Sequence, residues 1–271
     1  MITTDELASK IETESPRLIL QCPQLGIDTE RFVVEGDIGL KSNRVISYAA
    51  RRIEIAKALQ EDPDAERQGL LGIERDGKIL RWRRGKQLSY CVWRPSFGTD
   101  EEHAAVVEGM AAASSDWEGI CGVEFKHVQS KDHDANLTFG DVDFPVLRQA
   151  GGGSTIAMAF FPDDLANERL VWVFDGYFNT APGSFDPVGV MRHELGHVLG
   201  FRHEHIRPEA PDLFNPESTE HTLAISEYDP KSVMHYVAPG VGDPKLRFTK
   251  LDKMGARSVY GGTDLEFSFA D

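Results

Sequence analysis

The sequence contains little cysteine, with only Cys22, Cys91 and Cys121 among 271 residues. Their spacing fits neither a cysteine metal site nor a disulfide framework. A small fold held together by disulfides is therefore excluded, and a chain of this length can bury a substantial core without them. Two interpretations stay open for Cys91 and Cys121: they pair if the fold brings them together, or they are small buried hydrophobic side chains.

Long apolar runs and positive charge are also scarce. No stretch approaches the roughly 20 apolar residues that a membrane-spanning helix requires. Lys and Arg total 29 against 44 Asp and Glu, so the formal net charge is −15. This charge argues against nucleic acid and anionic membranes as partners, because both are polyanions. The first residues lack the basic region and apolar core of a secretory signal, so either the protein is made without one or the signal was removed.

What the sequence does contain is the dense motif His-Glu-Leu-Gly-His-Val-Leu-Gly-Phe-Arg-His, which begins at His193. On an α-helix, His193 and His197 lie on one face and can converge on one Zn²⁺. Gly200 can adopt the left-handed conformation that ends a helix, so that His203 turns toward the same ion. Three protein ligands leave a fourth position for water, as in catalytic zinc sites. Glu194 is then placed to act as general base toward that water.

A chance match is the alternative, because the short His-Glu-x-x-His pattern also occurs on surface helices as solvated side chains. The extension by Gly200 and His203 at fixed offsets favours zinc.

The remaining pattern predicts an α+β fold that divides near residue 80. We expect a partly helical N-terminal segment, then a main domain, then a loosely held tail, with bounds 1–80, 81–262 and 263–271. Apolar spacing and capping residues, with Asp186 as one N-cap, predict helices at 42–61, 101–117, 187–200 and 249–260. Short apolar runs predict strands at 88–93, 123–128, 135–139, 155–161 and 170–174.

The extended motif resembles that of the metzincin metallopeptidases, which place a methionine in a tight turn beneath the metal. Met234, in the segment Ser-Val-Met-His-Tyr, matches this Met-turn. Together with the His-Glu-His-Ile-Arg that begins at His203, this segment resembles the astacin branch. There, a tyrosine two residues after the methionine can reach the zinc and moves toward the oxyanion of the reaction. The resemblance gives this role to Tyr236, and the alternative is an aromatic side chain packed near the turn.

Other segments resemble the matrixin branch, at 135–140, 151–153 and 157–162. The resemblance implies a substrate-binding edge strand formed by Ala157, Met158, Ala159 and Phe160. Unpaired backbone groups of such a strand take up an extended peptide, and the alternative is an ordinary edge strand. Asp175 stands where such proteins have calcium or structural carboxylates, although a solvated loop aspartate is the better interpretation.

The resemblance covers about residues 80–262 and implies a metzincin-type catalytic domain. Such a domain has a mixed twisted sheet of about five strands, a zinc-binding helix, the Met-turn and a C-terminal helix.

Metzincins are commonly kept latent by a pro-segment that supplies a fourth zinc ligand, an aspartate in astacins and a cysteine in matrixins. The segment from Phe32 to Ile38 is similar to the astacin Phe-x-Gly-Asp pattern, with the phenylalanine two positions too far upstream. Asp37 is accordingly the predicted ligand of a latent state. The alternatives are Cys22, whose neighbours match the matrixin pattern poorly, and a plain turn residue at Asp37.

If the latch exists, activation requires cleavage near residues 75–86. The basic cluster at 81–84 is the candidate point, or simply an exposed charged surface.

The predicted function is therefore a zinc-dependent endopeptidase with one catalytic Zn²⁺, and with proteins or peptides as substrates. A zinc-containing binding protein, or a permanently occluded and catalytically silent homologue, is the main alternative. A zinc hydrolase of non-peptide bonds is disfavoured, because an edge strand suits extended peptides. Peptidases of this kind usually act outside the cell, so the resemblance favours an extracellular location, with no oligomeric state indicated.

Overall fold

The computed structural model describes residues 2–34, 36–61, 69–75, 77–179, 185–207, 209–211, 222–261 and 267–270. Across these ranges the helices are α1 Thr4–Glu14, α2 Ser42–Glu61, α3 Asp100–Cys121, α4 Asp175–Phe178, α5 Pro187–Val198 and α6 Lys250–Gly261. The strands are β1 Arg17–Cys22, β2 Ile27–Val34, β3 Ile38–Leu40, β4 Gly69–Arg75, β5 Lys78–Trp82, β6 Gln87–Val92, β7 Glu124–His127, β8 Phe144–Arg148, β9 Ala157–Met158, β10 Val171–Val173, β11 Thr222–Ser226 and β12 Phe267–Ala270. None of these helices has the length and apolar character needed to cross a membrane.

The N-terminal unit consists of α1, α2 and the antiparallel sheet β1-β2-β3. Helix α1 begins at a capping box, in which the side chains of Thr3 and Glu6 each accept the other residue's backbone N–H. Along α2, Val45 and Ala49 are four residues apart, so they lie on one face, and both are fully buried. They pack with side chains of α1 and β2. The unit therefore has a small hydrophobic core of its own.

The largest sheet has five strands in the order β7-β6-β8-β10-β9. The first four are parallel, and β9 runs antiparallel to β10 at the edge. Side chains alternate between its faces: Val171 and Val173 join the core with α3 and α5, whereas Trp172 packs with residues of the N-terminal unit. The sheet is thus buried on both faces, which explains why its inner strands are almost continuously apolar.

A third sheet has the order β11-β4-β5-β12. The hairpin β4–β5 pairs antiparallel with β11 and parallel with β12, so its partners come from late in the chain. The expected division near residue 80 falls inside β5, and this hairpin joins a sheet of the main domain instead. The expectation of a loosely held tail is wrong for Phe267–Ala270, which form β12. Residues 262–266 and 271 lie outside the described residues.

The mixed α and β composition of the fold is confirmed, but one expected strand is wrong. Residues 135–139 form turns. The Asp134 side chain accepts the N–H of Asn136 at 2.9 Å, and its carbonyl accepts the N–H of Leu137 at 3.2 Å. This local bonding competes with extension. The strand that joins the sheet after these turns is β8. It contains Pro145, which has no backbone N–H to donate to a neighbouring strand, and this weakens the sequence pattern that predicts a strand.

The cysteines are all unpaired. Cys91 is fully buried, and burial raises the pKa of its thiol to about 12. Burial likewise raises the pKa of the Cys121 thiol to about 11. The two residues therefore act as small hydrophobic side chains rather than as a disulfide.

Candidate metal centre and active site

Helix α5 carries the first two histidines of the motif. Pro187 occupies its first position, where its fixed φ suits a helix start. The carbonyl of Asp186 accepts the N–H of Val190 at 2.9 Å, but the Asp186 side chain makes no capping bond, contrary to its predicted role. An added Cβ at Gly189 would lie 2.4 Å from Lys245 O. The helix is therefore held close against the segment that precedes α6.

The turn after α5 brings the third histidine round. Gly200 has φ +93°, a conformation that favours glycine. Its N–H donates to His197 O, and the N–H of Phe201 donates to Gly196 O, both at 2.9 Å. These bonds reverse the chain within one turn, so His203 points back toward the helix.

The three imidazole rings converge on one point. Nε2 of His203 lies 3.1 Å from Nε2 of His197 and 3.2 Å from Nε2 of His193. On the far side of each helical ring, Nδ1 of His193 bonds Val233 O and Nδ1 of His197 bonds Phe201 O, each at 2.8 Å. A bond to a carbonyl fixes the proton on Nδ1, so the Nε2 lone pair is directed inward.

Asp37 of the N-terminal unit completes the group. Its Oδ1 lies 3.1 Å from His203 Nε2, and its Oδ2 lies 3.5 Å from His193 Nε2. One ligand atom from each of these three residues and from His197 lies within 4.8 Å of all the others. Burial raises the pKa of Asp37, but the neighbouring histidines outweigh it and hold the pKa well below its usual value. The carboxyl is therefore ionised beside the rings.

The backbone that delivers Asp37 is fitted to the cleft. Gly36 has φ +78°, and an added Cβ there would lie 2.8 Å from the Tyr236 hydroxyl. Thr155 Oγ1 donates to Gly36 O at 2.8 Å. Glycine is therefore required for this approach on both conformational and steric grounds.

The donor set fits Zn²⁺. Tetrahedral ligands bound at 2.0–2.1 Å lie about 3.3 Å apart, close to the 3.1–3.2 Å between the imidazole nitrogens. Imidazole nitrogen and carboxylate oxygen are both donors that zinc accepts. Burial, together with the neighbouring His203 and His193, lowers the pKa of His197 well below its usual value. The ring is thus neutral, which is the form that binds a metal.

Glu194 lies beside the first histidine of the motif on α5. It is 2 % exposed, and its Oε2 has no hydrogen-bond partner. Burial raises the pKa of this carboxyl well above its usual value, and the charge of Asp37 raises it further. A buried carboxyl with a spare acceptor next to a metal-ligand group is placed to exchange a proton there.

A tight turn lies beneath the histidines. The N–H of His235 donates to Ser232 O at 3.0 Å, which closes the turn around Met234. Met234 is fully buried, and its sulfur would lie 2.4 Å from a Cβ added at Gly196 on α5. The thioether therefore packs directly against the metal helix.

Sequence reasoning missed the residue that holds this turn. Asp252, at the start of α6, accepts from Ser232 Oγ at 2.6 Å and from Val233 N at 2.9 Å. It also forms a capping box with Thr249 at the start of α6. The capping pattern was the available signal, but the second role depends on tertiary structure. Through Val233, whose carbonyl orients His193, this carboxylate acts on the metal centre.

Tyr236 lies over the third histidine of the group, His203. Its ring centroid is 4.6 Å from that of His203 and 4.1 Å from that of His205, on which it stacks. The hydroxyl borders Gly36, so the side chain reaches the segment that carries Asp37. Tyr236 therefore lies at the mouth of the metal centre.

Comparison with known proteins agrees with this geometry. The family model described as matrixin matches residues 81–216, half of the chain. The chain belongs to the matrixin family. Matrixins are zinc metallopeptidases, so a peptidase at the family level is established. Protein SpAN of Strongylocentrotus purpuratus is 28% identical over 106 residues, which cover 30% of this chain and 17% of SpAN. The chain thus spans a small part of that relative's length.

A cavity of about 270 Å³ adjoins the matrixin metal centre. Its apolar wall is formed by Ile156, Ala157, Phe185, Val190, Val237 and Leu246. Gly36 and Asp37 line it together with His193, Glu194 and Tyr236. The N-terminal unit therefore enters the same space that the candidate catalytic groups face.

The residues expected to bind substrate lie at the sheet edge. Ala157 and Met158 form β9, and Ala159 and Phe160 continue from its end. A Cβ added at Gly39 would lie 2.7 Å from Met158 Sδ, so β3 passes directly beside β9. A second cavity of about 160 Å³ separates the two elements further along. In this matrixin the N-terminal unit thus lies over the outer side of the edge strand.

Two other candidates lie away from the metal centre. Cys22 packs with apolar residues beneath the five-stranded sheet and is not part of the converging group. Asp175 accepts from Arg148 at 2.5 Å and from Gly151 N at 2.7 Å. Asp175 therefore forms an ion pair with Arg148 and has a structural role. Among the described residues the only group of three or more candidate ligands is the one at His193, so calcium has no support.

The basic cluster at 81–84 is only partly exposed. Arg81 is fully buried, with its guanidinium carbon 4.5 Å from the Phe267 ring centroid. Arg83 and Arg84 follow β5 and are exposed. The expectation of an exposed cluster is wrong for Arg81, because β12 covers it.

Proposed function

We propose that this matrixin is a zinc-dependent endopeptidase that is made in a latent form. The observation that carries the proposal is the convergence of three Nε2 atoms beside the buried carboxyl of Glu194, whose Oε2 has no hydrogen-bond partner. The donor geometry supports His193, His197 and His203 as the zinc ligands.

Bound zinc would supply Lewis-acid chemistry, stabilising negative charge on the scissile carbonyl oxygen and easing deprotonation of a water molecule. Glu194 accepts the proton from the attacking water and later delivers it to the leaving amine. Its burial supports this role, because bulk solvent does not compete for the proton.

Tyr236 stabilises the oxyanion by donating a hydrogen bond from its hydroxyl. Its position over His203 supports this assignment. Met234 acts as the Met-turn residue, supporting α5 from below. These two roles give the chain an astacin-like character within a matrixin-type domain, which we include in the proposal.

The edge strand β9 and the residues that follow it bind the substrate as an added strand. The antiparallel edge position of β9 supports this, since its outer backbone groups face away from β10. An extended peptide laid along this edge passes the candidate metal centre and the adjoining apolar cavity.

Asp37 is the latch. Its carboxylate lies where a fourth ligand would, so it excludes the water that hydrolysis requires. The same segment borders the Tyr236 hydroxyl and receives a hydrogen bond from Thr155. One short segment therefore obstructs the metal, the oxyanion donor and the substrate strand together.

The test is hydrolysis of an unfolded protein by the zinc-loaded full chain carrying Asp37→Asn, with and without a chelator. Adding Glu194→Gln should leave zinc bound and reduce turnover by on the order of 100-fold or more. Glu108→Gln, an exposed glutamate on α3, is the matched control and should leave turnover unchanged. Normal turnover with Glu194→Gln would show that the base is misassigned.

A permanently occluded protein that uses its zinc site only for binding is the second candidate. The seating of Asp37 against two histidines favours it. In that case the Asp37→Asn chain binds zinc and the unfolded protein but releases no new peptide, which mass spectrometry of the products would show.

A further inference from the structure

The end of α5 leaves backbone carbonyls that have no partner within the helix. In this chain the carbonyls of the last helical residue and of the two residues that follow it are each bonded by a donor from a distant element. The three bonds run from Ile73 N to Gly200 O at 2.9 Å, from Trp82 Nε1 to Val198 O at 2.7 Å, and from Tyr260 Oη to Leu199 O at 2.8 Å. Two of the donors belong to the hairpin β4–β5 and the third to α6. The turn that leads to the third histidine is therefore fixed from outside the motif.

Strand β4 also pairs with the residues that follow the turn. It forms an antiparallel bridge with Phe201, and the N–H of Arg202 donates to Leu71 O at 2.8 Å. Phe201 O is the carbonyl that orients His197, and His203 follows two residues later. The short segment between the second and third histidines is thus an added piece of the β4 ladder.

Strand β5 leaves this segment little room to move. Leu80 and Trp82 are at most 1 % exposed, and β5 lies between β4 and β12 in the sheet. A Cβ added at Gly200 would lie 2.9 Å from Leu80 O, so the two backbones are in close contact. The hairpin is a rigid backing for the turn rather than a surface appendage.

We infer that the hairpin β4–β5, together with the Tyr260 hydroxyl of α6, is a positioning element of the metal centre. Trp82 and the β4 backbone hold the segment 198–202 so that His203 reaches the same point as the two histidines on α5. This rests on the proposed function only in that the three histidines bind zinc. It follows that the active form retains residues 69–82, and that a cut releasing the N-terminal unit lies before Gly69, not at the basic cluster.

The test compares two indole donors in the full chain. Trp82→Phe removes the bond to Val198 O and keeps an aromatic ring. Trp93→Phe is the matched control, because Trp93 is 1 % exposed and its Nε1 donates to Asp134 O at 2.9 Å, remote from α5. Each protein is stripped of metal and titrated with Zn²⁺ in competition with a chromophoric chelator. The visible spectrum of the Co²⁺ form reports the ligand geometry independently of activity.

Trp82→Phe should weaken zinc binding by on the order of tenfold, because the turn that leads to His203 is held less firmly, and should alter the Co²⁺ spectrum. Trp93→Phe should leave both unchanged. Unchanged binding with Trp82→Phe, or an equal loss with Trp93→Phe, would overturn the inference. If Trp82→Phe does not fold, Tyr260→Phe removes a single oxygen from the same turn, and parental affinity in that variant would also overturn it. Failure of the parent chain to bind metal would instead refute the proposed function.

Discussion

The four groups at the metal centre are held in two different ways. His193 and His197 are oriented by backbone carbonyls of the main domain, and His203 follows a turn bonded to the hairpin β4–β5. Asp37 comes from a unit with its own core. The three histidines therefore belong to one continuous framework, whereas the carboxylate that we propose as the latch comes from a separate unit.

The N-terminal unit contacts the main domain through an apolar face and a polar rim. Beyond its apolar contact with the sheet, it is joined near β9 by an ion pair of Lys41 with Glu168 and a longer one of Arg44 with Asp163 at 3.8 Å. Pairs exposed to this degree contribute only about 0–1 kcal/mol each. These ion pairs therefore add little to the docking of the unit, which is held mainly by its apolar contact with the five-stranded sheet.

The largest expected difference is between replacing Asp37 and replacing one of the three histidines. In the full chain, Asp37→Asn should retain zinc and raise hydrolysis of an unfolded protein by about tenfold or more, which corresponds to about 1.4 kcal/mol of lost inhibition. His203→Ala should do the opposite, losing both metal and activity. Metal content by atomic absorption and peptide release by fluorescence distinguish the two.

The control for this prediction is Asp28→Asn, an exposed aspartate on β2 of the same unit. It should leave latency intact. Loss of zinc from the Asp37→Asn chain would show that the aspartate belongs to the framework after all.

A substitution at Asp252 tests the framework that holds the three histidines. Asn at this position replaces one of the two acceptor oxygens with an NH2 group, so either the Ser232 hydroxyl or the Val233 N–H loses its acceptor, at a cost of about 1–3 kcal/mol. Urea denaturation should show this loss of stability, and zinc affinity should fall because the Val233 carbonyl orients His193. Asp100→Asn, at a side chain 86% exposed, should change stability by no more than about 0.5 kcal/mol. Parental stability with Asp252→Asn would mean that the turn is held by other contacts.

The local parts of this molecule could be predicted from the sequence. Helix α5 and its Gly200 terminus follow from spacing and backbone preference within about a dozen residues. The remaining predicted helices and strands, apart from 135–139, are present with ends that differ by up to four residues.

The parts that depend on distant pairing could not be predicted. The sequence signal for strand β8 is weakened by Pro145, and the role of Asp252 depends on α6 bringing this residue beside the turn around Met234. The bond from Trp82 to Val198 O joins positions that no local pattern relates. The pairing of strands that are distant in the sequence depends on the packing of the whole core, so no single segment predicts a strand's partners.

The smallest expected effect on stability is at Asp164, which lies where the N-terminal unit meets the main domain. Its Oδ2 accepts the N–H of Phe161 at 2.8 Å, and its Oδ1 lies 3.7 Å from Arg44 of the N-terminal unit. Asp163, Glu168 and Arg31 are the other charged groups nearby. Burial raises the pKa of Asp164 from 3.8 to about 6. The folded chain therefore keeps a proton on this group that the unfolded chain has released.

The stabilising contribution of protonated Asp164 is fully present below about pH 4 and is lost as the pH rises through about 6. Asp164→Asn stays neutral and lacks this decline. Its stability relative to the parent should therefore increase between about pH 4.5 and pH 6.5, by on the order of 1 kcal/mol. Urea denaturation of both chains at the two pH values measures the difference. A difference that does not change with pH would mean that Asp164 ionises as it does in the unfolded chain, and that the rim between the two regions stays open to water.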